Sequence, residues 1–380
     1  MKKGNELDLD LKLRMMRFLW YNGYFTRRNI NLLRYTYGKK TEQQYTDIDV
    51  LGVRIDENLK QHLTICDCKS GITAKTTERI FWLAGVMKYL GVERGIFLRT
   101  QVMEGKYIDL AKRLEIIPLS LEQLSELEKA YNVESKPYVG AFNKDVLDKD
   151  NIIFNNLREN ARQVYDYIHF KYWVDPVQQQ ITSLVASESK IDKLSNMREE
   201  EKIFLQLYIL SLLSISILNF SAPLLIISKK EKEYHVRENL LGGRIESMER
   251  KRLLEAFYDF MSKEISTRYQ EKYPISKKDF TSHIYPRYLK YLLDLIERIC
   301  LKPIAAVYVP KLLDVLAYEL VLNKDKGDNI ANQIFSYNSN FDIIEISKLT
   351  KDFITFGQRS GFISNERYNR LKDLMYIIEP

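Results

Sequence analysis

Between Ile203 and Ser228 the chain reads "IFLQLYILSLLSISILNFSAPLLIIS", a run without one charged residue. As a helix it is long enough to cross a bilayer, and outside a membrane only a protein core can absorb so much apolar surface. Gln206, Asn219, Pro223 and several serines interrupt it, and no second stretch of its kind occurs. The expected structure is a buried helix running to about Asn219, then a strand or second helix after Pro223. No membrane partner is expected.

The surrounding sequence fits a soluble, cytoplasmic protein. A hydrophobic fraction of 45% with 29% charged residues is ordinary for a globular chain, and 380 residues suffice for two domains. The opening "MKKGNELDLDLKLR" places charges where a secretory signal needs its apolar segment. Three cysteines, Cys66, Cys68 and Cys300, make no disulfide framework, and Cys66 and Cys68 lack a partner at zinc-like spacing. They are expected to be buried strand residues. His62, His169, His235 and His283 are scattered and suggest neither a metal cluster nor a triad. The net charge of +7 permits a polyanionic partner without requiring one.

Hydrophobic periodicity divides the chain in two. Leu11, Met15, Phe18 and Leu19 have helical spacing, with Gly23 as a stop. Strands are expected at Ile30 to Gly38, across "YTDIDVLGVRID" and across "HLTICDCKS", the last two joined by a hairpin turn at "ENLKQ". A helix capped by Thr76 or Thr77 and closed by Gly91 follows, then a strand over Arg94 to Thr100, a helix at "KYIDLAKRLE", a strand at "IIPLS" and a helix from "LEQLSELEKAY". Residues 1–132 thus predict a small α/β domain with a mixed sheet. Residues 133–150 have the composition of a linker. Residues 151–380 predict a mostly helical domain, with a strand at "PLLIISKK" and a hairpin into "EYHVREN".

The strands carry acids where a core would not want them, since an unpaired buried charge is costly. Side chains alternate along a strand, so Asp67 and Lys69 share one face, as do Asp47 and Asp49 on the preceding strand. A hairpin between the two strands brings Asp49 beside Asp67. Two converging carboxylates make a hard oxygen site suited to Mg²⁺, with water and phosphate oxygens as further ligands. A neighbouring lysine would stabilise charge on a phosphate, or orient and help deprotonate a metal-bound water. The bland alternative is a pair of half-exposed strands with solvated or salt-bridged acids.

The order helix, strand, strand with Asp49, strand with "DCK", helix, strand resembles the core of the PD-(D/E)xK nuclease superfamily, the restriction-endonuclease-like fold, over residues 1 to about 132. The resemblance implies a metal-dependent endonuclease. Asp49, Asp67 and Lys69 become the catalytic set, with Asp49, Asp67 and the Cys68 carbonyl as metal ligands and Mg²⁺ or Mn²⁺ as the ion. Ile48 stands where the family name has proline, and Asp67 where glutamate is commoner. Many members add an acid from the first helix, for which Glu6, Asp8 and Asp10 are open candidates.

The expected substrate is nucleic acid, DNA rather than RNA because most such enzymes cut DNA. Lys75 and Arg79, at the start of the helix after the triplet, could face the scissile phosphate or form solvated surface. In the helical half, Arg250, Lys251, Arg252, Lys277, Lys278, Arg287 and Lys290, interleaved with Tyr269, Tyr273, Tyr285 and Tyr288, could line a groove for a nucleic-acid backbone or form solvated helix faces. That half could instead dimerise or dock a partner protein. A nuclease joined to a helical module would, by analogy, suit a prokaryotic defence or mobile-element protein. The competing class is an inactive adaptor that binds nucleic acid or protein.

Overall fold

The computed structural model describes residues 3–34, 43–71, 75–191, 193–282, 284–324 and 342–376. Helix α1 (Lys3–Tyr21) leads into strands β1 (Phe25–Arg34), β2 (Gln43–Ile55) and β3 (Gln61–Lys69). Helix α2 (Thr76–Leu90), strand β4 (Arg94–Arg99), helix α3 (Gly105–Arg113), strand β5 (Ile116–Ser120) and helix α4 (Leu121–Ala130) complete this region. The five strands form one mixed sheet in the order β1-β2-β3-β4-β5. The first three strands pair antiparallel, and β3-β4 and β4-β5 pair parallel. Parallel neighbours require a crossover, which α2 and α3 supply.

Local chemistry sets these joints. The β2-β3 turn is wound by Asp56, whose Oδ1 accepts the backbone N–H groups of Asn58 and Lys60 at 3.0 and 2.8 Å. Gly91 ends α2 at φ 65°, a left-handed cap that glycine adopts without strain. The start of α2 differs from the threonine cap expected. Lys75 holds the cap position without a side-chain capping bond, and the Thr76 hydroxyl accepts from Arg99 instead. The first strand begins at Phe25, earlier than expected, and the end placed at Gly38 lies outside the described residues, as does His283.

The uncharged run belongs to α8 (Glu199–Ser221), which follows α5 (Leu147–Asn160), α6 (Arg162–His169) and α7 (Val177–Ile191). Every residue from Glu201 to Leu218 is buried, with α7 and a helix at Val309–Val315 as its main packing partners. It is the one described helix long and apolar enough to cross a membrane, and it is enclosed by protein. Its serines turn inward on the backbone: Ser214 donates to the Ser211 carbonyl at 2.7 Å and Ser221 to that of Ile217 at 2.7 Å.

Of the strand or second helix expected beyond Pro223 the helix forms, and the hairpin into "EYHVREN" does not. A short 3₁₀ turn (Ala222–Leu224) is followed by α9 (Lys229–Leu240). Ser228 and Glu231 bond at its start, Glu233 and Arg237 pair one turn apart, and Val236 and Leu240 are buried at i,i+4 spacing. Those helix-period contacts outweigh the strand-like letters before them.

Residues 133–150, expected as a linker, are packed. Val133, Val139, Ala141, Phe142 and Val146 are buried. Gly140 has φ 58° and donates to Glu319 Oε1 at 2.7 Å, while a Cβ there would lie 2.5 Å from Asp314 Oδ2. Only glycine fits both the turn and the contact. The helical region closes on the sheet through buried charge: Arg27 pairs with Asp314 at 2.8 Å, and Lys311 Nζ donates to the Trp20 carbonyl at 2.6 Å.

Candidate active site

The β2-β3 ladder is regular from Ile55 opposite Gln61 to Val50 opposite Cys66. The pairing stops there, and Asp49 and Asp67 are the next residues on the two strands. There a side chain enters the ladder: Asp49 Oδ2 accepts the backbone N–H of Cys68 at 2.8 Å. Both aspartates are buried, with 2% and 0% of their surface exposed.

Lys69 bridges them, with Nζ 3.1 Å from Asp49 Oδ2 and 3.5 Å from Asp67 Oδ1. The two carboxylates therefore lie on the same side and touch a common cation. Lys12, from α1, reaches Asp49 Oδ1 at 2.7 Å and also donates to Asn29 Oδ1 at 2.9 Å. Arg79, from α2, grips Asp67 with both arms of its guanidinium, Nε lying 2.9 Å from Oδ2. Its guanidinium stacks over the Trp82 ring at 3.9 Å.

This environment drives the two acids apart. Burial pushes the Asp49 carboxyl up, but Lys12 and Lys69 more than offset that and hold it below the ordinary aspartate value. For Asp67 burial prevails over Arg79 and Lys69, and its pKa is raised. Burial pulls Lys69 down, yet the two carboxylates outweigh it and the ammonium is strengthened. Lys69 is thus a cation beside the acids rather than a ready base. Burial raises the Cys66 and Cys68 thiols far above the usual thiol range, so neither is poised as a thiolate.

Two carboxylates on one side, already sharing a cation, fit Mg²⁺ or Mn²⁺ in kind, because such ions take one or two carboxylates and complete their shell with water and phosphate. The set stops there. Among the described residues no group of three or more His, Cys, Asp or Glu side chains is placed to hold a metal. Cys68 joins the site through its backbone, its N–H being engaged by Asp49.

Of the first-helix acids, Asp8 is the one at this end of the sheet, accepting the Ser70 N–H at 2.8 Å. Asp8 and Lys12 are one turn apart on α1, so both face the strand ends. Glu6 is exposed, and Asp10 pairs with Lys144 at 2.8 Å. Asp47 is exposed although it shares its strand with Asp49. Sequence reasoning missed Lys12 and Asn29. A charge between buried Leu11 and Leu13 was the available signal for Lys12, and its target could not be read.

The other basic candidates separate. Lys75 is exposed and pairs with Glu78 at 2.8 Å. Arg250 and Arg252 are exposed on α10 (Arg244–Tyr269), which buries none of its residues and packs mainly against α9 and α11 (Lys277–Ser282). Lys277 is tied to Asp259 at 2.8 Å, and Lys278, Arg287 and Lys290 are exposed. The interleaved tyrosines do not form one stacking surface. Tyr288 is buried, Tyr273 packs edge-on against Tyr258, and Tyr285 lies under Arg237.

Comparison with models of protein families, with curated proteins and with solved structures gave no match for this chain.

Proposed function

We propose that the chain is a metal-dependent nuclease of the cytoplasm that hydrolyses phosphodiester bonds, DNA being the favoured substrate, with a PD-(D/E)xK-like core. The single supporting observation is that Lys69 lies against both Asp49 and Asp67, buried acids on adjacent strands of the β2-β3 hairpin.

In this reading Asp49 and Asp67 hold Mg²⁺ or Mn²⁺, with the Cys68 carbonyl as a further ligand. The ion, when bound, supplies a Lewis acid for the phosphate and lowers the pKa of a coordinated water. Asp49 is kept ionised by Lys12 and Lys69 and is ready to ligate at neutral pH. Lys69, held protonated, places positive charge where a phosphate gains negative charge. Arg79 orients Asp67 in the absence of metal, and its half-exposed guanidinium is free to turn toward a phosphate when Asp67 is taken up. The helical region would then recognise substrate, dimerise or dock a partner protein.

The test is cleavage of plasmid and single-stranded DNA, and of RNA, with Mg²⁺ or Mn²⁺, by wild type and Asp67→Ala. Wild-type cleavage lost in the variant supports the proposal. One observation favours the adaptor reading: all four carboxylate oxygens already have N–H or ammonium partners. Nucleic-acid binding without cleavage under every metal would establish that reading.

A further inference from the structure

Where the edge strand β1 meets α5 and α6, a cavity of about 170 Å³ opens beside the candidate site. Arg28, Asn29, Asp150, Phe154, Asn155 and Tyr165 are among the side chains that line it. Asn155 is exposed and marks its rim, whereas Asp150 is only 5% exposed. Asp150 Oδ2 accepts from Arg28 at 3.2 Å, but its Oδ1 is buried without a hydrogen-bond partner. A buried acceptor left without a donor is unfavourable, so the cavity is built to receive one.

The lining narrows what that donor is. An anion would meet the Asp150 carboxylate, and an added cation would meet Arg27 and Arg28, which already line the wall. A neutral donor, O–H or N–H, remains. The volume is close to the ~150 Å³ cavity that accommodates a benzene ring, and Phe154 and Tyr165 give the walls aromatic surface for a flat ring. The Arg28 guanidinium and the asparagine amides can donate to a carbonyl next to that donor.

We infer that this cavity takes a nucleobase whose ring N–H adjoins a carbonyl, as in thymine, uracil and guanine, with the ring N–H donating to Asp150 Oδ1. Adenine and cytosine lack that pair in their neutral forms. The inference rests on the nuclease reading for its purpose. Asn29 lines the cavity and also accepts from Lys12, which pairs with Asp49, so a seated base is linked to Asp49 through two side chains.

Calorimetric titration of the full chain with thymidine, guanosine, adenosine and cytidine 5′-monophosphates, without divalent metal, tests it. The first two bind and the last two bind at least about tenfold more weakly, the scale set by a mismatched buried polar group. Asp150→Asn abolishes the preference. Asn155→Trp, a change at the exposed rim, blocks binding without touching the core, and Asp67→Ala leaves binding intact. Equal binding of all four nucleotides, binding of none, or an unchanged preference in Asp150→Asn overturns the inference. Selective binding by a chain that never cleaves keeps the cavity assignment and removes the nuclease reading.

Discussion

Two of the clusters of buried charge in this molecule are built differently. In mid-β2 and near the end of β3, the acids Asp49 and Asp67 are sealed, but the cations serving them arrive on long, partly exposed arms. The side chains of Lys69 and Arg79 are 30% and 28% exposed. At the seam between sheet and helices, both partners of the Arg27–Asp314 pair are enclosed, at 4% and 0%. Arg27 is further held between the rings of Phe25 and Tyr208 at 4.0 and 4.5 Å. A cation with one end in water can exchange its partner for a metal or phosphate at modest cost. A sealed pair cannot, because separating it strands a charge in a low-dielectric interior. The first cluster is suited to chemistry and the second to holding two regions together.

That contrast can be broken most directly by removing one acid from each cluster. Asp67→Ala is expected to lower metal-dependent cleavage by at least about 10²-fold while the protein stays folded, since Arg79 can then reach water. Unchanged cleavage would remove the acid pair from the chemistry. Asp314→Ala should instead destabilise the fold by about 3–5 kcal/mol in denaturant melts, the cost of leaving Arg27 buried and unpaired. A small effect there would show that the seam tolerates water.

A finer comparison uses pH. Burial depresses the Lys311 pKa to about 7, against the partial opposition of Asp314. The folded chain therefore binds fewer protons than the unfolded one between about pH 7 and pH 10, and stability from this group should rise with pH across that window. The contribution is on the order of a few kcal/mol at most. Lys311→Met should flatten that slope in melts recorded from pH 7 to 10, and an unaltered slope would assign it elsewhere.

The smallest effect is expected at Arg79. Arg79→Ala removes a group that lowers the Asp67 pKa, so the already raised value climbs further. The acid limb of the cleavage profile should move to higher pH, with a stability loss smaller than that of Asp314→Ala, because the buried Asp67 keeps Lys69 and can take up a proton. A limb that stays in place would mean that Asp67 does not limit cleavage in acid.

Much of the sheet region was legible because its signals are local. Apolar alternation marked β2 and β3, the "ENLKQ" turn marked their pairing, and the hairpin then brought Asp49 beside Asp67. Lys69 followed from strand period alone. Asn29, Lys12 and the role of Arg79 were not legible in this way. They reach the acids from a neighbouring strand and two helices, and no spacing within one element encodes a meeting between elements.

In the helical region the sequence by itself determined that Ile203 to Asn219 is an apolar helix that a protein core or a membrane has to enclose, and the structure encloses it in protein. Tertiary structure alone decided that residues 133–150 pack against the core. It also decided that Arg27 finds Asp314 nearly three hundred residues away. Those outcomes depend on which surfaces close against one another. Burial turns a weak local preference into a fixed structure only when a distant partner completes it.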